Sequence, residues 1–377
     1  MHSLLPITMF VVAFASAIVV LTIQLPRLLR VIKKTKKDNL IAAENVGCDN
    51  LPGISVVVYT HNSTSGLEKI IPQLMSQKYP EDKYEVIVVN DGANQATESL
   101  LLLMESKWTG RLRHTFTPSG TRGISSKNLS LMLGVKSARF PVVLHTTSDV
   151  IIPTENWVFN MALPFCKNPN IQIVIGAAIL SKGKRSRRRM YFMDTVNYLA
   201  SALSGKPWRG DGSNLAYTRN IFFENNGFCS LLNLRHGGGD DDAYISQIAT
   251  AGNTAVCLAK DSIVRISPED AGAYWLNMLR RRAWAKKQCR PYARRLQIWS
   301  SGMLWLSLLA SVIAVADNYK DWTIIVLVSA LQLVLWITLM LFWGKVSKVM
   351  TMDRFMLKVP GALLSQLIRT IYHFRVG

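Results

Sequence analysis

Three carboxylates in a row, Asp240-Asp241-Asp242, follow three glycines, Gly237-Gly238-Gly239, in a chain of net charge +20. Adjacent anions repel, so such a cluster is tolerable where it faces cations, a metal or a proton to be removed. The glycines release the backbone and let a loop present the acids at a cleft. Ala243 to Ala249 carry helical apolar spacing, which puts the triplet at a helix N-terminus, where the dipole stabilises anions. The plain reading is a capped, solvated helix start. The chemical reading is a carboxylate that takes a proton from an attacking group. Three further polar clusters accompany the triplet: Thr60 to Ser63, Asn90-Asp91-Gly92 and Thr146 to Asp149.

Each of those clusters ends an apolar run that reads as a buried strand. Ile54 to Tyr59, Tyr84 to Val89 and Pro141 to Thr146 are three such runs, and Leu112 to Phe116 is a fourth, shorter one. Between them Leu67, Ile70, Ile71 and Leu74 recur at helical spacing, Leu100 to Met104 belong to a second helix, and Ser125 to Ala138 reads as another. Strands alternating with helices predict an α/β fold, a parallel sheet with helices on both faces. In such sheets ligands bind beyond the carboxyl ends of the strands, where these polar clusters sit. Ile171 to Leu180 reads as one more strand, placed centrally. No GxGxxG and no Walker loop occurs at a strand-to-helix turn, so a nucleotide would be held by side chains and a metal.

Hydrophobic residues make up 49% of the 377 residues and are unevenly spread. Leu4 to Leu25, Leu296 to Ala316 and Trp322 to Trp343 are apolar runs of the ~20 residues that cross a hydrocarbon core. The lack of a basic residue before the first run, and the cluster Arg27 to Lys37 after it, predict an anchor rather than a cleaved signal. Basic residues flank the runs at Arg27 to Lys37, Arg280 to Arg295 and Lys345 to Lys348, while the connection Asp317 to Asp321 is not basic. The positive-inside pattern places residues 26–295 in the cytosol. The expected organisation is a transmembrane anchor at 1–25, a basic juxtamembrane linker at 26–52, a cytosolic domain at 53–290 and a membrane region at 291–377. That last region holds spans near 296–316 and 322–343 and an interfacial stretch, Phe355 to Phe374. The protein is expected at the inner membrane, its positive charge lying against lipid headgroups, with no nucleic acid required to explain it.

The five cysteines are widely spaced with no metal-site spacing, which predicts no structural zinc, and in a cytosolic domain they are expected to be free thiols. The dense basic run Lys182 to Arg189 reads as a solvated surface near the membrane or as a grip on a phosphate. Trp275, Leu279 and Trp284 are expected at the membrane interface. His61, His145 and His236 lie near polar edges and read as hydrogen-bonded neutral side chains or as ligands.

Over about residues 53–290 the chain resembles the membrane-anchored family 2 glycosyltransferases, whose fold is GT-A, a Rossmann-like nucleotide-diphospho-sugar transferase domain. Six motifs in order carry the resemblance. Ile54 to Asn62 (ISVVVYTHN) resembles the family's opening strand, and Val86 to Gly92 (VIVVNDG) the strand whose terminal Asp binds the base or ribose. Lys127 to Gly134 (KNLSLMLG) is similar to the segment carrying a Lys near the nucleotide, and Thr147-Ser148-Asp149 falls at the DxD metal motif. Gly212 to Tyr217 (GSNLAY) resembles the loop under the donor sugar, and Gly239 to Asp242 (GDDD) the motif whose second acid is the catalytic base.

The resemblance implies a non-processive inverting transferase that moves a sugar from a nucleotide-diphosphate sugar to a lipid-linked or surface-glycan acceptor, using Mg²⁺ or Mn²⁺. It implies Asp241 as base beside Asp240 and Asp242, and donor contacts from Thr60, Asn62, Asp91, Lys127, Ser148, Asp149 and Asn214, with Asp149 the metal ligand. Two departures stand out. Thr147 replaces the first DxD acid, and Arg280-Arg281-Arg282-Ala283-Trp284 stands where processive members carry QxxRW. Trp284 is retained and the Gln is absent; the three arginines there read as contacts for acceptor or diphosphate. The alternative is a weak or inactive GT-A scaffold that binds a nucleotide sugar or a partner glycosyltransferase.

Overall fold

The structure is a computed structural model that describes residues 4–43, 50–92, 94–117, 125–227, 240–285, 289, 291–317, 320–352 and 356–366. For residues 43, 240–241, 281–285, 291–294, 297 and 356 it describes the backbone alone. Two compact units emerge, residues 34–289 and residues 1–33 with 290–377.

The larger unit is built on β1 (Ile54–Thr60) and β2 (Tyr84–Asn90), runs of Val, Ile and Tyr that are almost wholly buried. Burial on both faces is what a continuous apolar strand in the middle of a parallel sheet requires. With β3 (Leu112–Phe116), β4 (Val142–Thr147), β6 (Ile173–Gly176), β8 (Leu215–Thr218) and β9 (Thr254–Cys257) they form a seven-stranded sheet in the order β3-β2-β1-β4-β8-β6-β9. The strands β1 to β4 are parallel, but β8 runs antiparallel to both β4 and β6, so the sheet is mixed rather than parallel throughout. Apolar patterning reports which residues are buried, not which way a strand runs.

A second sheet, β5-β10-β7, joins β5 (Val150–Ile151), β10 (Val264–Ile266) and β7 (Ala178–Leu180). The stretch expected as one central strand at 171–180 is thus two short strands in different sheets, and β6 neighbours the edge strand β9. The break follows Gly176, where an added Cβ would stand 2.4 Å from Asn214 Cγ. Only a glycine lets the Asn214 side chain cross there.

Helices α2 (Thr64–Met75), α3 (Gln95–Lys107), α4 (Ser126–Ser137) and α5 (Trp157–Lys167) connect and cover the strands. Leu67, Ile70, Ile71 and Leu74 of α2 are all buried, as their spacing implies. In α4, Gly134 lets the helix sit hard on the sheet: a Cβ there would lie 2.4 Å from Val57 Cγ1. Later come α6 (Arg185–Ala202), α7 (Arg219–Glu224), α8 (Asp240–Ile248) and α9 (Ala271–Ala285). Trp275 and Met278 of α9 are buried in the domain core and Leu279 packs against it, so Trp275 and Leu279 are core residues rather than interfacial anchors.

A single helix, α1 (Leu5–Ala43), carries both the first apolar run and most of the expected linker. Lys, Arg, Leu and Ala favour the helix, so it continues past Pro26 instead of ending there. In the smaller unit α10 (Pro291–Asp317) and α11 (Trp322–Val349) follow. Leu5–Ala42, Ile298–Asp317 and Trp322–Val349 are long and apolar enough to cross a membrane. Several of their polar residues bond one another: Gln24 Nε2 donates to Ser300 Oγ at 3.0 Å, Trp343 Nε1 donates to Gln24 Oε1 at 3.2 Å, and Gln332 Nε2 donates to Ser307 Oγ and Ser311 Oγ at 3.0 and 2.8 Å. Such pairs substitute for the water that lipid cannot supply. Of the expected interfacial stretch, residues 359–366 are helical and the ends lie outside the described residues. Cys257 and Cys289 are free, but Cys166 is disulfide-bonded, which corrects the expectation of free thiols. The expectation followed from the cytosolic placement, where disulfides are rare, and Cys166 departs from it. Cys48 and Cys229 lie outside the described residues.

Candidate active site

The carboxyl ends of β1, β2 and β4 are stitched together by their own polar tips. The Asp91 N–H donates to Thr60 O at 2.8 Å and the Ser148 N–H to Tyr59 O at 3.0 Å. The Asn62 N–H donates to Asn90 Oδ1 at 3.1 Å, and Asn62 Oδ1 accepts from the Asn94 N–H at 3.2 Å. Asn62 holds a positive φ of 51°, which Asn tolerates better than most residues.

Above β1 and β4 opens a cavity of about 360 Å³. Its wall takes Tyr59, Thr60 and His61 from β1 and its exit, and Thr147, Ser148 and Asp149 from β4 and its exit. Lys127 comes from the first turn of α4, and Arg209 to Ser213 from the loop before β8. Asp242 comes from α8, and Glu269, Asp270 and Tyr274 from the start of α9. Five carboxylates and two permanent cations therefore face this space.

Asp242 is ion-paired: Arg209 Nε donates to its Oδ1 at 2.8 Å, and both residues are buried. The guanidinium also lies over the Tyr198 ring, 5.0 Å from its centroid. Asp211 is oriented by Tyr191, whose hydroxyl donates to Oδ2, and by the Ser213 N–H, which donates to Oδ1 at 3.1 Å. Burial raises the Asp149 carboxyl above the usual carboxylate range, and the negative charge of Asp211 pushes the same way. The Thr147 hydroxyl, which donates to Asp149 Oδ1, and the positive charge of Lys127 oppose that rise. Ser65 Oγ donates to Glu269 Oε1, which ties α2 to the segment before α9.

Of the residues expected to hold donor, Thr60, Lys127, Ser148 and Asp149 line the cavity. Asp91 and Asn62 are not among its lining residues. Asp91 Oδ2 accepts from Tyr59 Oη at 2.9 Å and from Ser126 Oγ at 2.8 Å, with His61 Nδ1 3.7 Å away. Asn214 stands apart. It is fully buried, its Nδ2 donating to Ala177 O and Ser262 O at 2.9 and 2.7 Å, while Oδ1 accepts from Trp157 Nε1 at 3.1 Å. Those bonds occupy the amide in holding β8 to the second sheet and α5, away from the cavity wall. Of the acid triplet, Asp242 lines the cavity, while the side chains of Asp240 and Asp241 lie outside the described residues. Arg280 is exposed on α9; the side chains of Arg281, Arg282 and Trp284 are not described. His145 is buried beside Tyr217, ring centroids 4.9 Å apart, and His236 lies outside the described residues.

Arg209, Asp211, Tyr191, Glu269 and Asp270 were not legible as site residues. Only the glycines flanking Asp211 signalled a loop there. Among the described residues no cluster of three or more His, Cys, Asp or Glu is arranged to hold a metal ion alone.

Residues 55–230 match the family model "Glycosyl transferase family 2". A mannosyltransferase from Pyrobaculum calidifontis, solved with GDP-Man and Mn²⁺, superposes with a TM-score of 0.55 at 17% identity, covering 95% of this chain and 99% of that one. Poly-beta-1,6-N-acetyl-D-glucosamine synthase from Staphylococcus epidermidis is 26% identical over 33% of this chain and 28% of its own length. The probable glycosyltransferase YdaM of Bacillus subtilis is 24% identical over 45% of this chain and 41% of its own. The glycosyltransferase AglE of Haloferax volcanii is 36% identical over 13% of this chain and 16% of its own. The chain thus spans less than half the length of these curated relatives. It carries a glycosyltransferase family 2 domain on a GT-A-like fold, with helices long and apolar enough to cross a membrane at both ends.

Proposed function

We propose that the protein transfers one sugar from a nucleoside diphosphate sugar to a hydroxyl of a lipid-linked or surface-glycan acceptor, with inversion, at the cytosolic face of the inner membrane. The observation that carries this reading is that Lys127, Asp149, Asp211 and Asp242, distant in sequence, line one cavity at the carboxyl ends of β1 and β4.

The lining fits a divalent cation. An excess of carboxylates would repel a diphosphate, and hard oxygen donors suit Mg²⁺ or Mn²⁺, which need only one or two protein carboxylates besides phosphates and water. Asp149 and Asp211 would hold it, so that Asp211 supplies the second acid that Thr147 does not. When bound, a divalent cation neutralises charge on the departing diphosphate. Lys127 adds a positive charge on the same side, where a fixed cation stabilises the leaving group as its charge develops.

On the acceptor side a carboxylate takes the hydroxyl proton as the new bond forms, a contribution of about 10²–10⁴ in rate. The resemblance put this role on Asp241. Among the described side chains of the triplet, Asp242 lines the cavity, and we propose the base there, with Asp241 as its alternative. Arg209 fixes its carboxylate through Nε. A single displacement by the activated hydroxyl inverts the anomeric centre. The changed QxxRW position supports one transfer per encounter rather than chain extension.

The test is turnover by the purified full chain of labelled GDP- and UDP-sugars with Mn²⁺ or Mg²⁺. Metal-dependent hydrolysis or transfer, abolished by chelation, is expected. Retained binding of a nucleotide sugar without turnover of any donor would instead support a binding scaffold.

A further inference from the structure

A second cavity, of about 180 Å³, lies where the last turns of α1 meet α5 and β9. That is roughly six times the ~30 Å³ share of one water, room for a small polar group rather than a whole substrate. The end of α1 is fixed there. Asp38 Oδ2 accepts from the Leu258 N–H at 2.9 Å, and Asn39 Oδ1 accepts from the Lys260 N–H at 2.7 Å.

Three lysines face the space: Lys34 and Lys37 from α1 and Lys167 from α5. Lys34 pairs with Asp38. Lys37 and Lys167 are exposed and make no ion pair among the described residues, so two positive charges are left over. The remaining wall is neutral. Pro164 lacks the N–H that would bond Asn160 O, and Cys257 Sγ donates to that carbonyl instead, at 3.3 Å. Burial pushes the Cys257 thiol up to about 11, so it remains an uncharged wall group. Ile41, Leu163 and Pro164 add apolar surface beside the ammonium groups.

Cations beside apolar wall suit a phosphate attached to a lipid. The helix itself supplies the location. Lys34, Lys37 and Asp38 stand on the same continuous helix, α1, that begins with the apolar run Leu4 to Leu25. We infer that this cavity seats the phosphate of an anionic glycerophospholipid headgroup, held by Lys37 and Lys167 with Lys34 behind them. The site is independent of the sugar-transfer reading, since none of its residues lines the larger cavity.

The test uses the full chain in nanodiscs of pure phosphatidylcholine and of phosphatidylcholine with phosphatidylglycerol, with thermal unfolding as readout. A graded lipid titration gives the apparent affinity. Phosphatidylglycerol is expected to raise the melting temperature of the wild type. Charge near a membrane surface contributes about fivefold in affinity per lysine, so K37Q/K167Q is expected to weaken the response about 30-fold. K69Q/K136Q removes two exposed lysines of α2 and α4, outside both cavities, and is expected to keep the full response. Both variants should melt like the wild type in pure phosphatidylcholine, which shows that they fold. An undiminished response in K37Q/K167Q, or an equal loss in K69Q/K136Q, would overturn the site. Equal protection by millimolar inorganic phosphate in phosphatidylcholine discs would overturn the lipid as its occupant.

Discussion

Replacing Asp242 by Asn should cost both stability and rate, and the two losses are separable. Arg209 and Asp242 are 6% and 7% exposed, with 2.8 Å between Nε and Oδ1. Breaking a buried ion pair from one side costs about 3–5 kcal/mol, because the remaining charge is left uncompensated. Asn keeps the shape and one acceptor oxygen, and the charges of Asp194 and Asp211 also act on Arg209, so the low end applies. About 3 kcal/mol corresponds to a fall of about 6–12 °C in melting temperature for a domain of this size. Turnover, measured well below both melting temperatures, should fall by about 10²–10⁴ if Asp242 is the base. Arg209→Gln should destabilise to a similar degree, and the double variant should lose less than the sum of the singles, since the two residues are in contact. Thermal melts and initial rates on the four proteins decide it. Additive melting losses would refute the ion pair. Unchanged turnover in folded Asp242→Asn, with loss in Asp241→Asn, would move the base to Asp241.

Three more outcomes follow from the same geometry. The Asp149 carboxyl is raised, chiefly by burial, so the folded state binds its proton more readily than the unfolded chain does, and stability falls as pH rises through that folded value. Asp149→Asn should therefore melt above the wild type at pH 7 in cation-free buffer. The gap should close below the ordinary Asp range of about 3.9, and the variant should lose any cation-dependent stabilisation. Asn214→Ala should cost about 3 kcal/mol by orphaning Trp157 Nε1 and two buried carbonyls, with donor KM unchanged in the folded fraction; a KM effect without destabilisation would return Asn214 to a donor role. Gly134→Ala forces a Cβ to 2.4 Å from Val57 Cγ1, and should cost about 1–3 kcal/mol and raise donor KM by shifting Lys127 on the same helix.

The half of the domain that alternates strand and helix was legible because each element is long, apolar and ends in a polar cluster. The β1, β2 and β4 runs, the four buried positions of α2 and the convergence of Thr60, Asp91 and Ser148 all follow from that pattern. Strand direction was not legible, since β8 carries the same alternation whichever way it runs. Ile171 to Leu180 misled because its break depends on Asn214, nearly forty residues later. Asn214 itself looked like a ligand-binding amide, yet polar side chains at strand ends also tie sheets together, and only its three partners tell the two apart. Arg209 and Asp211 could not be singled out in a loop of ordinary composition. Their meaning comes from Asp242 and Asp149, which folding brings beside them. Trp275 looked interfacial because a run of basic residues follows it in the sequence, while its own side of α9 faces the core.

The most direct measurement is thermal protection of the purified full chain by a panel of GDP- and UDP-sugars with Mn²⁺, on the wild type, Lys127→Ala and Asp149→Asn. A donor at one hundred times its Kd should add about 2.7 kcal/mol of stability to the wild type. That gain should be absent without the cation and lost in both variants. If no nucleotide sugar protects the wild type, or if both variants are protected as strongly as it is, the cavity above β1 and β4 is not a donor site.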